Sequence, residues 1–135
     1  MKYLVDATVL SEATRPTPNP GVLDWLRLHQ AELAIDPIIL GEISFGIRVL
    51  SAGRRRQRLE QWFEEGVSLI VCLPWDAATG VRSAGLLAEL RVSGRQMPIK
   101  DSLIAATASV HALTVVTRNT RDFEMAWVDV VDPFA

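Results

Sequence analysis

Ile99–Phe123 reads IKDSLIAATASVHALTVVTRNTRDF, and its parts obey different rules. After Lys100 and Asp101, the stretch to Ala108 is almost wholly apolar or small, the pattern of a helix that wants to be buried. Pro98 suits a first helical position, and a carboxylate in the first turn favours the positive end of the helix dipole. Leu113–Thr117, LTVVT, is short and apolar almost throughout. It reads as a buried parallel strand. A buried helix running into a buried strand is half of a crossover unit, so this stretch points to an α/β fold. It also places an acid, Asp101, at the mouth of an apolar helix. Helix chemistry accounts for that acid if it stands alone, and a functional site accounts for it if it has company.

Working outward, Tyr3–Val5 (YLV) and Leu69–Leu73 (LIVCL) also read as buried parallel strands, with weaker candidates in LAI near Leu33 and WVDVV near Trp127. Helical patterns fill the gaps. NPGVLDWLRLHQAEL repeats apolar residues at Val22, Trp25, Leu26 and Leu33 after a start signal at Pro20. PIILGEISFGIRVL carries a stripe of Ile39, Ile43, Ile47 and Leu50, and RRRQRLEQWFEEGV offers Leu59, Trp62 and Phe63. A further segment starts at an N-cap-like Asp76 and ends at Gly94. Strands alternating with long helices predict an open parallel sheet of four to five strands, covered by helices on both faces. In such sheets ligands collect at the carboxyl ends of the strands.

The totals set bounds. A length of 135 residues with an apolar fraction of 49% suits one domain, 1–135, with a sizeable core. Apolar runs far shorter than a membrane span and the lack of an opening secretory pattern predict a soluble, cytoplasmic protein. The single cysteine, Cys72, excludes an internal disulfide and a cysteine metal cluster. His29 and His111 stand alone at helix-like positions. The net charge is −2, yet the fourteen basic residues comprise twelve arginines and two lysines. Arginine forks onto phosphate and carboxylate as lysine does not, although a G- and C-rich genome yields the same excess.

Four acids fall where the fold predicts a site. Asp6 follows the first strand immediately and also suits the N-cap of a short helix. Glu42 projects at the edge of the Ile39–Ile43–Ile47 stripe, with Gly46 leaving room above it, although an acid there could also be a boundary residue paired to an arginine. Asp101 heads its apolar helix. Asp122 lies in TRNTRDF just past LTVVT, where a turn acid is also at home, with Asn119 as a second polar candidate. Carboxylates clustered without His or Cys are the ligand set of a hard divalent cation, Mg²⁺ or Mn²⁺, which activates water for attack on phosphorus. Without a cation the acids repel one another.

These stretches resemble the PIN-domain ribonucleases, and within them the VapC-type toxins of bacterial toxin–antitoxin pairs. YLVDATVLSE is similar to the family's opening strand and first acid, GEISFGI to its Gly-Glu helix, and PIKDSLIAATA with HALTVVTRNTRDF to its most distinctive block. The resemblance spans nearly the whole chain. It implies a three-layer α/β/α sandwich around a parallel sheet, and a Mg²⁺- or Mn²⁺-dependent endoribonuclease. Its partners would be an RNA substrate and a small antitoxin that blocks the site, and its usual form a homodimer. By position, Asp6, Glu42 and Asp101 match the family's acids and would hold the metal. Members vary between an acid at the position of Asn119 and one at that of Asp122, and the amide at Asn119 here favours Asp122. Thr117 matches a hydroxyl that orients water or a carboxylate. Many members read Asp-Thr-Asn where this chain reads Asp6-Ala7-Thr8, so any hydroxyl help in the first motif falls to Thr8.

Arg54, Arg55, Arg56 and Arg58 stand together and could hold RNA phosphates or an acidic antitoxin segment. The competing assignment is a solvated helix face on which Arg56 pairs with Glu60. An antitoxin that covers the acid cluster is expected to use a basic side chain, seated on apolar surface near Trp25, Phe45, Trp62 or Phe63. Two other functions compete with ribonuclease. A phosphate-accepting receiver domain needs an early acidic pair and a late strand-end lysine, and gives no reason for Glu42. A non-catalytic scaffold needs only the core, and would not need four acids.

Overall fold

A computed structural model describes residues 1–135. The strands β1 (Tyr3–Val5), β2 (Leu33–Ile35), β3 (Val71–Cys72), β4 (Thr114–Val116) and β5 (Val130–Val131) form one parallel sheet in the order β3-β2-β1-β4-β5. Tyr3 lies opposite Leu33 on one side and Thr114 on the other, and Leu4 opposite Ala34 and Val115. Both weak strand candidates are therefore real. LAI is short but wholly buried, and WVDVV contributes its last two residues as an edge. LIVCL departs from expectation. Only Val71 and Cys72 pair, and both are exposed, because β3 is the other edge of the sheet. The apolarity of that run serves Leu73, which is buried and donates its N–H to the Ile35 carbonyl at 2.8 Å.

Seven helices join the strands: α1 (Ala7–Ser11), α2 (Pro20–Leu28), α3 (Pro37–Arg48), α4 (Arg54–Glu65), α5 (Ala77–Val92), α6 (Ile99–His111) and α7 (Thr120–Glu124). Side-chain oxygens of Asp6, Asn19, Asp36 and Asp76 cap α1, α2, α3 and α5. Pro20 and Pro37 begin their helices, where a missing N–H costs nothing. Pro98 sits one position earlier than expected, at the N-cap, so Asp101 is the third residue of α6. From Ile104 to Ala108 every residue of α6 is buried. The alanines there let the helix lie close to the sheet. α6 closes with Ala112 in the left-handed region at φ 53°, and the Leu113 N–H returns to the Ala108 carbonyl at 2.9 Å.

Parallel crossovers are right-handed. The connections running from β1 out to β3 and the one returning from β3 to β4 therefore cover opposite faces, which gives three layers. Leu4, Val5, Ile35, Ile39, Ile104, Val115, Val116 and Phe123 are fully enclosed between them, each contributing roughly 1.5–3 kcal/mol by leaving water. The strand order reverses at β1, whose neighbours leave in opposite directions along the chain. This is the switch point where such sheets open a crevice at the strands' carboxyl ends. Asp6, Asp36 and Thr117 are the residues that follow β1, β2 and β4 there.

Candidate metal and active site

Asp6 is 6% exposed. Its N–H donates to the Val116 carbonyl at 2.9 Å, extending the β1–β4 ladder by one residue. One carboxylate oxygen accepts the Ala7 N–H at 2.8 Å and so caps α1; the other accepts the Thr117 hydroxyl at 2.8 Å. Capping and site geometry thus use the same side chain. Burial pushes the Asp6 carboxyl above its ordinary range and the charge of Glu42 adds to this, while the Thr117 hydrogen bond acts the other way.

The Thr117 hydroxyl also accepts the Asn119 N–H at 3.0 Å. The Asn119 side-chain amide forks, donating to Asp101 at 2.9 Å and to Asp122 at 2.8 Å. The Asn119 amide thus bridges the two acids. A continuous line of hydrogen bonds runs Asp6–Thr117–Asn119 and on to Asp101 and Asp122. Burial raises the Asp101 carboxyl, followed by the charges of Asp6 and Asp122.

Glu42 approaches from α3. One oxygen accepts the Lys100 ammonium at 2.9 Å, and the other is buried without a partner. The ion pair expected with an arginine is made with lysine instead; Arg48 turns to the Ser44 hydroxyl at 3.2 Å. Lys100 is held above the ordinary lysine range by its hydrogen bond to Glu42, with the charges of Asp101 and Asp6 in support. Thr8 is exposed on the rim of a cleft that also includes Ala7, Glu42 and Gly46, and it makes no hydrogen bond to the acids. The acids share one neighbourhood, but no three of them stand close enough to enclose an ion.

Residues 3–127 match the PIN domain family. The chain is a PIN-domain protein. It is 33% identical over 135 residues to a VapC ribonuclease, Y4jK, of Sinorhizobium fredii, covering 97% of this chain and 96% of that one. It is 32% identical to toxin FitB of Neisseria gonorrhoeae, covering 97% of each. A crystal structure of FitAcB from N. gonorrhoeae superposes with a TM-score of 0.92 at 31% identity, covering 98% of both chains. A DNA-bound VapBC from Salmonella typhimurium, at 22% identity and a TM-score of 0.83, shares the fold.

PIN-domain ribonucleases depend on divalent metal. The donors of this PIN domain suit one. They are carboxylates only, the set that hard cations prefer. Two of them, Asp6 and Asp101, are burdened by neighbouring negative charge. Glu42 keeps one buried oxygen unpaired.

Asp36 escaped the sequence reading. It is fully buried, caps α3 through the Ile39 N–H at 2.9 Å, and accepts the Thr107 hydroxyl at 2.6 Å. It carries the same signal as Asp6, an acid directly after an apolar strand. Its bond ties the base of the Glu42 helix to the middle of the Asp101 helix. The arginines of α4 separate. Arg56 pairs with Glu60 at 2.9 Å and reaches the Leu50 carbonyl at 3.2 Å. Arg55 and Arg58 form no ion pair and line a cleft with Arg15 and Trp62; Arg55 also borders the cleft that holds Glu42. Arg54 is exposed.

Proposed function

We propose that this PIN domain is a metal-dependent endoribonuclease, the toxin of a toxin–antitoxin pair, and that residues 1–135 work as one unit. The observation that carries the reading is the line of hydrogen bonds joining Asp6, Thr117, Asn119, Asp101 and Asp122 at the carboxyl edge of β1 and β4. Gathering acids in this way costs stability, which a fold has no structural reason to accept. The names of the relatives, a VapC ribonuclease and a toxin, agree with it.

Asp6, Glu42 and Asp101 would hold Mg²⁺ or Mn²⁺. When bound, such an ion supplies polarisation of a phosphoryl oxygen and activation of water. Thr117 fixes the Asp6 carboxylate, and Asn119 orients Asp101 and Asp122 with a single amide. The substrate is RNA, whose phosphates Arg55, which borders the cleft of Glu42, and Arg58 next to it on α4 would receive. The antitoxin inhibits by laying a basic side chain, best an arginine, over the cluster. Phe45 in the last turn of α3 and Val49 at its C-cap, both exposed, offer it an apolar seat. A second copy of the chain packs on the exposed stripe Val81–Gly85–Ala88–Val92 of α5 to form a homodimer.

The test is cleavage of RNA by the purified chain with Mg²⁺ or Mn²⁺ and with EDTA. Cleavage is expected only with the ion, and Asp101→Asn is expected to abolish it while circular dichroism is unchanged. Full activity of Asp101→Asn at saturating Mg²⁺ would overturn the reading. For the antitoxin, raising Mg²⁺ should weaken its hold and Asp6→Asn should lower its affinity; a complex indifferent to both binds elsewhere.

A further inference from the structure

We propose that Lys100 is a resident counter-cation that occupies Glu42 when no divalent ion is bound, and that ion binding displaces it. The inference rests on the reading of these acids as ion ligands.

Four ion pairs join an arginine or lysine to a carboxylate, and three of them link residues three or four positions apart. Lys100–Glu42 alone crosses the fold, linking residues 58 positions apart, on α3 and α6, at 2.9 Å. It is also the only one that engages a candidate ligand of the site. Its geometry leaves Glu42 half satisfied: the second oxygen is buried and receives no donor. The ammonium of Lys100 meets one oxygen of Glu42 and leaves the other open to a further ligand. The residue type fits exchange. In a chain with twelve arginines and two lysines, the cation here is a lysine, a point charge on a flexible stem rather than a planar fork that grips a carboxylate at two points. Its side chain is 51% exposed, so it has solvent to move into, and a pair so placed is held weakly. Lys100 also explains why no three acids close on one point. Glu42 is turned to its lysine, and Asp101 is held by Asn119.

Two lysines make the displacement directly visible. In the full-length chain without RNA, the side-chain resonances of Lys2 and Lys100 are followed by NMR as Mg²⁺ is added. The Lys100 signal is expected to move to the position of a solvated lysine, with Lys2 unmoved as the internal control. A Lys100 signal that stays in place at saturating Mg²⁺ would overturn the proposal. In a second measurement, free Mn²⁺ is counted by electron paramagnetic resonance. Lys100→Gln is expected to bind Mn²⁺ about fivefold more tightly than the parent, as loss of an exposed competing pair implies, and Lys100→Arg more weakly than the parent, because its fork is harder to displace. In a Glu42→Gln background the gain from Lys100→Gln should fall below about twofold. Equal or weaker binding by Lys100→Gln, or a full gain without Glu42, would overturn it. A chain that exchanges Lys100 as expected but cleaves no RNA would sink the ribonuclease reading and leave the exchange standing. RNA cleavage with an unmoved Lys100 would do the reverse.

Discussion

Each oxygen of the Asp6 carboxylate has its own donor, and Thr117 is the one that comes from the far end of the chain. Thr117→Val keeps the shape of a fully buried side chain. It removes the donor to Asp6 and the acceptor for the Asn119 N–H. A loss of about 1–3 kcal/mol is expected in denaturant unfolding, with reduced RNA cleavage because both Asp6 and Asn119 lose their anchor. The acids themselves should leave a pH signature. Asp6 and Asp101 both titrate above their ordinary range in the folded chain. The folded state then binds their protons more tightly than the unfolded state. Their contribution is fully present below the ordinary carboxylate value of 3.8 and is lost as pH rises through the elevated folded values. Asp101→Asn removes one of these charges. In EDTA its thermal midpoint should lie above the parent's at pH 7, and the two should converge below about pH 4. An equal difference at both pH values would mean that the substitution acts through packing alone.

At the scale of elements, the Glu42 helix and the Asp101 helix are joined twice: the cap of the first, Asp36, meets Thr107 in the middle of the second, and Glu42 in the middle of the first meets Lys100 at the start of the second. Thr107→Val leaves a buried Asp36 oxygen without its donor. It should cost about 1–3 kcal/mol and lower cleavage without touching a ligand. Most helices are legible because their starts are marked by Pro20, Asp76, or a clear apolar stripe. β2 was weak in the sequence because three residues carry little periodicity, and β3 was over-read because an apolar run does not say which of its residues are covered. Asp6, Glu42, Asp101 and Asp122 stood out through their motifs. Asp36 had the same strand-then-acid pattern but no motif around it. Asn119 as a bridge, and Lys100 on Glu42, needed three dimensions, since no spacing rule relates α3 to α6. Four arginines within five residues look alike in sequence, and only packing divides them. With an inactive variant, Arg55→Ala and Arg58→Ala should each weaken single-stranded RNA binding and flatten its salt dependence, by roughly 0.7 in log–log slope for each phosphate no longer neutralised. Arg56→Ala should leave that slope unchanged.

Across the whole molecule, the sheet is shielded unevenly. β5 is two residues long, yet it covers the β4 edge and accepts the Thr117 N–H at the Val131 carbonyl, 3.0 Å away. Arg118 lies over the Phe134 ring at 4.2 Å and helps hold the last turn in place. Removing Val130–Ala135 strips one neighbour from β4 and one anchor from the site. The shortened chain is expected to melt at lower temperature and to self-associate through the bared edge, read by light scattering and circular dichroism.

The central strand is the first one a ribosome makes. β1 leaves with Asp6 at its end, but the bond that finishes Asp6 comes from a residue 111 positions later. At 5–20 residues per second, roughly 6–22 seconds of synthesis separate the two. From Glu42 until Lys100 is added, the growing chain holds Asp6, Asp36 and Glu42 without Lys100, Thr107 or Thr117, the side chains that bond them from the second half. A product cut short between Glu42 and Thr117 contains the first acids without the Thr117 hydroxyl or the Asn119 amide bridge. The order of strands across the sheet thus acts as a timer, because the line of hydrogen bonds through Asp6 closes only when translation is nearly over.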